Sequence, residues 1–198
     1  MSDKDIKFSI IIPTLNRKEA LEATLTSIKA TQENHDYEII IVDQSDNYDS
    51  HDEEFCIKKL LGSNIRLKGL PKARNYGIRE AEGDIVLFLD DDIVAYTHLI
   101  DEHIKSYQLN GKIGGVAGHL IEIPDIFTNS KKIGGSVNCF GRSLRNFNSD
   151  KDGYVLAGPG GNISFRKDVI EKTGYFDERY IGTSELEESD YCYRVLGK

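Results

Sequence analysis

"GDIVLFLDDDIVAY" (Gly83 to Tyr96) runs five apolar residues straight into three consecutive aspartates. An unbroken apolar run, rather than an alternating one, reads as a strand covered on both faces. Like charges about 6 Å apart repel by roughly 3 kcal/mol at an effective dielectric near 20, and by only about 0.7 kcal/mol in bulk water. Asp90, Asp91 and Asp92 therefore either splay into solvent or are held by a cation. In an extended backbone successive side chains alternate, so Asp90 and Asp92 point one way and Asp91 the other. Two carboxylates converging on one point suit a hard divalent cation, Mg²⁺ or Mn²⁺. The alternatives are a solvated loop or acids that favour a following helix N-terminus.

Working outward, strands and helices alternate through the first half. "FSIII" (Phe8 to Ile12) reads as a buried strand ended by Pro13. Leu21, Leu25 and Ile28 then fall on one helical face, with Asn16 and Glu19 spaced as a capping box. "YEIIIVD" is a second strand, followed by a short helical pattern through Phe55, Leu60 and Leu61. "NIRLKGL" is a third strand, "PKARNYGIREAEG" a helix opening on Pro71, and "DIVLFLD" a fourth strand. "THLIDEHIKSY" is another helix, with Leu99, Ile100, His103, Ile104 and Tyr107 on one side. This alternation predicts an α/β fold with a largely parallel sheet. The second half is richer in glycine and builds on strands at "GGVAGHLIEI" and "NISF". Ligands of open parallel sheets bind beyond the carboxyl ends of the strands. "PTLNR", Asp43 and Asp90 to Asp92 would all lie along that edge.

Composition narrows the function classes. The chain has 198 residues, 29% charged and 39% hydrophobic, which suits one globular domain. A net charge of −8 gives no global attraction to nucleic acid or anionic membrane. The three cysteines, Cys56, Cys139 and Cys192, lack metal-ligand spacing, which points to reduced thiols and a cytoplasmic location. The start has no signal-peptide pattern, and no apolar stretch approaches the roughly 20 residues needed to span a bilayer. "IIPTLNRK" has neither GxGxxG nor GxxxxGK[ST], which argues against a dinucleotide-binding domain and a P-loop nucleotidase.

Three further segments carry chemistry. "RLKGLPKARNYGIR" concentrates Arg66, Lys68, Lys72, Arg74 and Arg79, either a phosphate-binding patch or the charged face of a helix. "AGPGGNISFRKDV" places glycines where a tight turn or a close ligand approach is needed. In "SELEESDYCYRV", helical spacing puts Glu187 beside Asp190 and turns Glu188 elsewhere. One of these carboxylates could serve as a general base, or the acids could simply open a helix.

Taken together, "SIIIPTLNR", "IIIVDQSD", "KARNYGI", "GDIVLFLDDD", "GPGGNISFRKDV", "GYFDERY" and "EESDYCYR" resemble, in order, the motifs of family 2 glycosyltransferases of the GT-A fold. The resemblance implies a single catalytic domain over residues 1–198, with a nucleotide-sugar-binding half (1–95) and an acceptor-side half (96–198). It implies an inverting enzyme that moves a sugar from a nucleotide-diphosphate donor, a UDP-sugar first among them, to a glycan or lipid-linked acceptor hydroxyl. Pro13, Thr14, Asn16, Asp43, Arg74, Asn75 and Asp90 would border the nucleotide-sugar, and Gly160, Gly161 and Asn162 the sugar and acceptor pocket. Asp92, with Asp90, would hold Mn²⁺ or Mg²⁺.

The family's catalytic aspartate falls on Glu188, one methylene longer, with Glu187 as the second candidate. "VDQSD" replaces the family's frequent Asp-Asp-Gly-Ser, leaving Asp43. The family also continues past the "YCYR" helix, often with a histidine for the metal, which implies a chain incomplete at its C-terminus and leaves room for peripheral membrane association. Two rival readings remain: a non-catalytic sugar-nucleotide or carbohydrate-binding relative, and a haloacid-dehalogenase-like phosphatase using Asp90 and Asp92.

Overall fold

The computed structural model describes residues 6–45, 69–121, 135–137, 143–144, 147–149, 151–181 and 186–197. In chain order the elements are β1 (Phe8–Thr14), α1 (Lys18–Thr31), β2 (Tyr37–Asp43), α2 (Leu70–Glu80), β3 (Ile85–Leu89), α3 (Leu99–Leu109) and β4 (Gly115–Ala117). A two-residue ladder, β5 (Ser136–Val137) with β6 (Ser143–Leu144), precedes β7 (Asn162–Arg166), α4 (Lys167–Thr173) and α5 (Glu187–Leu196). The main sheet has five strands in the order β2-β1-β3-β7-β4. β1 pairs in parallel with β2 and β3, whereas β7 runs antiparallel to both β3 and β4.

Both faces of this sheet are covered, which is why its central strands are continuous apolar runs. Ile10, Ile12, Leu87 and Leu89 pack on one face with Leu21, Leu25 and Ile28 of α1 and Ile100, Ile104 and Tyr107 of α3. Ile11, Val86, Phe88, Ile163 and Phe165 pack on the other with Ala73 and Ile78 of α2, Ile170 of α4 and Tyr191 of α5. Phe176 lies between Phe88 and Tyr191, edge-on to the first at 5.4 Å and stacked on the second at 4.1 Å.

Several local expectations are corrected. β1 does not stop at Pro13 but continues to Thr14, paired with β2 over its whole length. Its pairing with β3 covers only Phe8 to Ile11, so Pro13 stands where one side of the strand is open and a missing N–H costs little. No capping box forms: Arg17 is the N-cap of α1, without a side-chain cap bond, and Asn16 adopts φ 55°. Of the expected third strand, Gly69 and Leu70 instead cap and open α2. Residues 64–68 lie outside the described residues, as do Arg66, Lys68 and the helical pattern at Phe55, Leu60 and Leu61.

The reversed direction of β7 decides what meets at the carboxyl edge. β1 and β2 end together, Thr14 opposite Asp43, and β3 ends at Leu89. Because β7 is antiparallel, it begins at that edge, with Asn162 opposite Leu89. Pro159, Gly160 and Gly161 are thereby delivered to Asp90 from the far end of the chain.

Candidate active site

At the end of β3 the backbone leaves the strand, and Asp91 and Asp92 form a turn. Strand alternation therefore stops at Leu89, and the three aspartates separate differently from the extended-backbone expectation. Asp91 is buried; it accepts a hydrogen bond from Thr14 Oγ1 at 2.6 Å and one from Arg17 Nη1 at 2.8 Å. The same guanidinium donates through Nη2 to Asp92 Oδ2, so one arginine spans two neighbouring carboxylates. Arg17 is the internal cation that the charge conflict demanded. The sequence reading missed it, although its only signal was a basic residue at the turn after β1. Asp92 is half exposed.

Asp90 lies against the Gly161 backbone and stays close enough to feel the charge of Asp92. Burial pushes its carboxyl above the ordinary range, opposed by Arg74 and reinforced by Asp92 and Glu188. The Gly160–Gly161 turn lies between these groups. A Cβ on Gly161 would come within 2.5 Å of Asp90 Oδ2, and one on Gly160 would collide with Glu188 Oε1 and Arg74 Nη2. Only glycine permits that approach.

α5 supplies the third wall. Glu187 and Asp190, expected side by side, are instead taken by different cations. Asp190 Oδ2 accepts from Arg194 Nε at 3.0 Å, while Glu187 turns into the core and accepts from Arg74 Nη1 at 2.8 Å. Glu187 is fully buried, whereas the Glu188 side chain keeps 17% of its surface and sits beside Gly160. Burial pushes the Glu188 carboxyl upward, partly offset by Arg74, and the adjacent Glu187 charge pushes the same way.

The remaining sequence candidates divide between backbone and support. Pro13 and Thr14 are the last residues of β1, and the Thr14 hydroxyl is engaged with Asp91. The N–H of Asn16 donates to Ser45 Oγ at 2.7 Å, tying the first turn to the β2 exit. Asp43 closes β2 and accepts from the N–H of Ser45 at 2.8 Å. Asn75 points away from the edge: its amide donates to Phe176 O and Glu178 Oε1 and accepts from Phe176 N, bracketing the "GYFDE" loop. Asn162 is buried rather than open to the cleft. Its Nδ2 donates to His119 O at 3.0 Å, and its Oδ1 lies 2.9 Å from His103 Nε2.

That last contact belongs to a network the sequence did not reveal beyond placing His103 on an apolar face. Asn162 Nδ2 donates outward, so Oδ1 is an acceptor and His103 Nε2 carries the proton. His103 Nδ1 then accepts from Ser164 Oγ at 2.8 Å, and Ser164 accepts from Tyr107 OH at 2.9 Å. Complete burial lowers the His103 pKa to about 4, so the ring is neutral and the chain of donors runs in one direction.

The donors that Asp90 and Asp92 offer are carboxylate oxygens, the chemistry of Mg²⁺ or Mn²⁺ rather than of a soft metal. Among the described residues no group of three or more His, Cys, Asp or Glu side chains forms a ready-made cage. Such a donor set fits a cation that completes its shell with water and phosphate oxygens.

The sequence matches the model of the family described as Glycosyl transferase family 2 over residues 9–174. The chain belongs to glycosyl transferase family 2. An uncharacterized glycosyltransferase, YfnE of Bacillus subtilis (strain 168), is 31% identical over 111 residues, covering 52% of this chain and 27% of that protein. Among solved structures, S. aureus TarS 1–349 superposes with a TM-score of 0.64 at 17% identity, covering 96% of this chain and 55% of that one. The mannosyltransferase PcManGT from Pyrobaculum calidifontis, in complex with GDP-Man and Mn²⁺, gives 0.63 at 16%, covering 95% and 51%. These likenesses establish the GT-A fold. The chain spans under a third of the curated relatives it matches first and about half of these solved ones. Family membership sets aside the phosphatase reading of Asp90 and Asp92. No helix among the described residues is long and apolar enough to cross a membrane.

Proposed function

We propose that this family 2 chain carries the donor site and base of an inverting glycosyltransferase, moving a sugar from a nucleotide-diphosphate donor to an acceptor hydroxyl. The observation that carries this reading is the meeting of Asp90 and Glu188 across the Gly160–Gly161 turn, at the carboxyl edge of the sheet. A leaving-group site and a base must flank the sugar for in-line displacement, and these two carboxylates come from segments that only the fold brings together. Glu188 takes the proton of the acceptor hydroxyl as it attacks; burial raises its pKa and makes it a stronger base than an ordinary carboxylate. Glu187 has no exposed surface and serves Arg74 instead.

Pro13, Thr14, Asn16 and Asp43 line the nucleotide end of the edge, with Asp43 reading the base. Asp90 and Asp92 would hold a divalent cation, which would supply neutralisation of charge on the departing diphosphate. Gly160 and Gly161 leave room for the sugar, and Asn162 fixes that turn from beneath. UDP-sugars are the first donors to test, followed by GDP-sugars: TarS has been solved with UDP-GlcNAc and the mannosyltransferase with GDP-Man and Mn²⁺. The acceptor is a glycan or lipid-linked hydroxyl, and the setting is the cytoplasm.

A thermal-shift panel of nucleotide-sugars with Mn²⁺ and Mg²⁺ tests the reading, paired with acceptor-independent donor hydrolysis. Asp92→Asn should abolish the metal-dependent shift. Glu188→Gln should retain it while turnover falls by about 10²–10⁴-fold. No shift with any donor would sink the proposal; binding with unchanged turnover in Glu188→Gln would remove Glu188 as base.

A further inference from the structure

Arg74 is a fully buried cation of the site, and its surroundings do not resemble those of a phosphate ligand. It is among the largest fully buried side chains of the described residues, at 1% exposure. Its guanidinium lies over the rings of Phe88 at 5.9 Å and Phe176 at 5.5 Å, on the core side of the edge. Nη1 donates to Glu187 Oε1 at 2.8 Å, and Nη2 donates to Gly160 O at 3.3 Å and to Glu188 Oε1 at 3.4 Å. One guanidinium thus joins the opening of α5 to the backbone of the glycine turn.

A buried guanidinium is tolerated only when paired, and breaking a buried pair is far more costly than forming it is beneficial. Glu187, itself fully buried, is that partner. For Arg74 to reach a diphosphate it would have to abandon Glu187 and leave two charges stranded in an aromatic pocket. Its contact with Glu188 is longer than that with Glu187, so Glu187 anchors the guanidinium and Glu188 is guided by it. The planar fork matters, because its fixed geometry is pre-organised for Glu187, Glu188 and a carbonyl, whereas an ammonium is a compact charge on a flexible stem.

We infer that Arg74, anchored by Glu187, is a positioning residue that holds the Glu188 carboxylate against the Gly160 turn rather than a ligand of the donor's diphosphate. The inference rests on Glu188 being the base. It also gives the altered acidic pair a logic: Glu187 secures the cation, and the longer Glu188 reaches the turn. Glu187 and Glu188 thus converge on one guanidinium beside the glycine turn.

The test separates binding from turnover in the full-length protein. Arg74→Lys keeps the charge but loses the fork. Because it could destabilise the fold, the paired change Arg74→Met with Glu187→Leu removes both ions together, which buried pairs often tolerate. Calorimetry with a nucleoside diphosphate and Mn²⁺ should give a Kd within about 3-fold of the parent for either variant. Transfer at saturating donor should fall by about 10-fold or more in either variant. A Kd weakened 10-fold or more with kcat retained would overturn the inference and make Arg74 a diphosphate ligand. Unchanged kcat in both variants would also overturn it. If Glu188→Gln itself leaves turnover intact, the fault lies with the base assignment.

Discussion

His103 sets a measurable limit on acid stability. Its pKa is lowered by complete burial from 6.5 to about 4, against weaker support from Asn162 and from the charge of Glu102. The unfolded chain therefore binds a proton at this side chain at higher pH than the folded chain does. Above pH 6.5 the ring is neutral in both states and costs nothing. As pH falls from 6.5 toward 4 the penalty grows, reaching about 2 kcal/mol at pH 5 and about 3 kcal/mol at pH 4. Asp90, Asp91 and Glu188, whose pKa values are raised, act in the opposite sense as they protonate. Urea unfolding of the parent and of His103→Gln across pH 7 to 4.5 cancels these carboxylates, because both chains carry them. The variant should be less stable at pH 7, since Ser164 loses its acceptor, yet lose less stability on acidification. Parallel curves would refute the reasoning and mean that the ring gains a proton in place. Imidazole NMR titration gives the same answer directly.

Asn75→Ala would leave the buried N–H and carbonyl of Phe176 without the amide that satisfies them. We expect a loss of about 3 kcal/mol by denaturant unfolding, with nucleotide affinity in the surviving fold unchanged. Gly161→Ala forces a methyl against Asp90 and should lower turnover more than stability, the latter by about 1–3 kcal/mol. Arg17→Gln removes the guanidinium that shares Asp92 with any incoming cation. Mn²⁺ titration followed by EPR should show tighter binding by several-fold, and weaker binding would mean that Arg17 instead preorders the site.

The parts of the fold set by burial on both faces were legible. β2 matches "YEIIIVD" residue for residue, and α3 buries Ile100, His103, Ile104 and Tyr107 on the face that helical spacing assigns. Direction was not legible: "NISF" reads as a strand, but nothing in four residues says that it runs against β3. Pairing of long polar side chains was equally hidden. Glu187 and Asp190 share a helical face on paper, yet one is drawn inward by Arg74, more than a hundred positions away, and the other is taken by Arg194. Asn16 fits a capping pattern in sequence, but its left-handed backbone moves the cap to Arg17, whose side chain bridges two aspartates.

The reversed strand β7, beside the central β3, also has a consequence for biogenesis. Ile85 to Leu89 are all buried, and one of their two edges is closed only by a strand that follows roughly 70 residues later. At a synthesis rate of about 5–20 residues per second, the ribosome takes several seconds to deliver that partner. Until then the nascent chain presents an apolar edge that pairs readily with other strands. A truncation before Asn162 should therefore bind holdase chaperones or aggregate, even though every residue of the first three strands is already present.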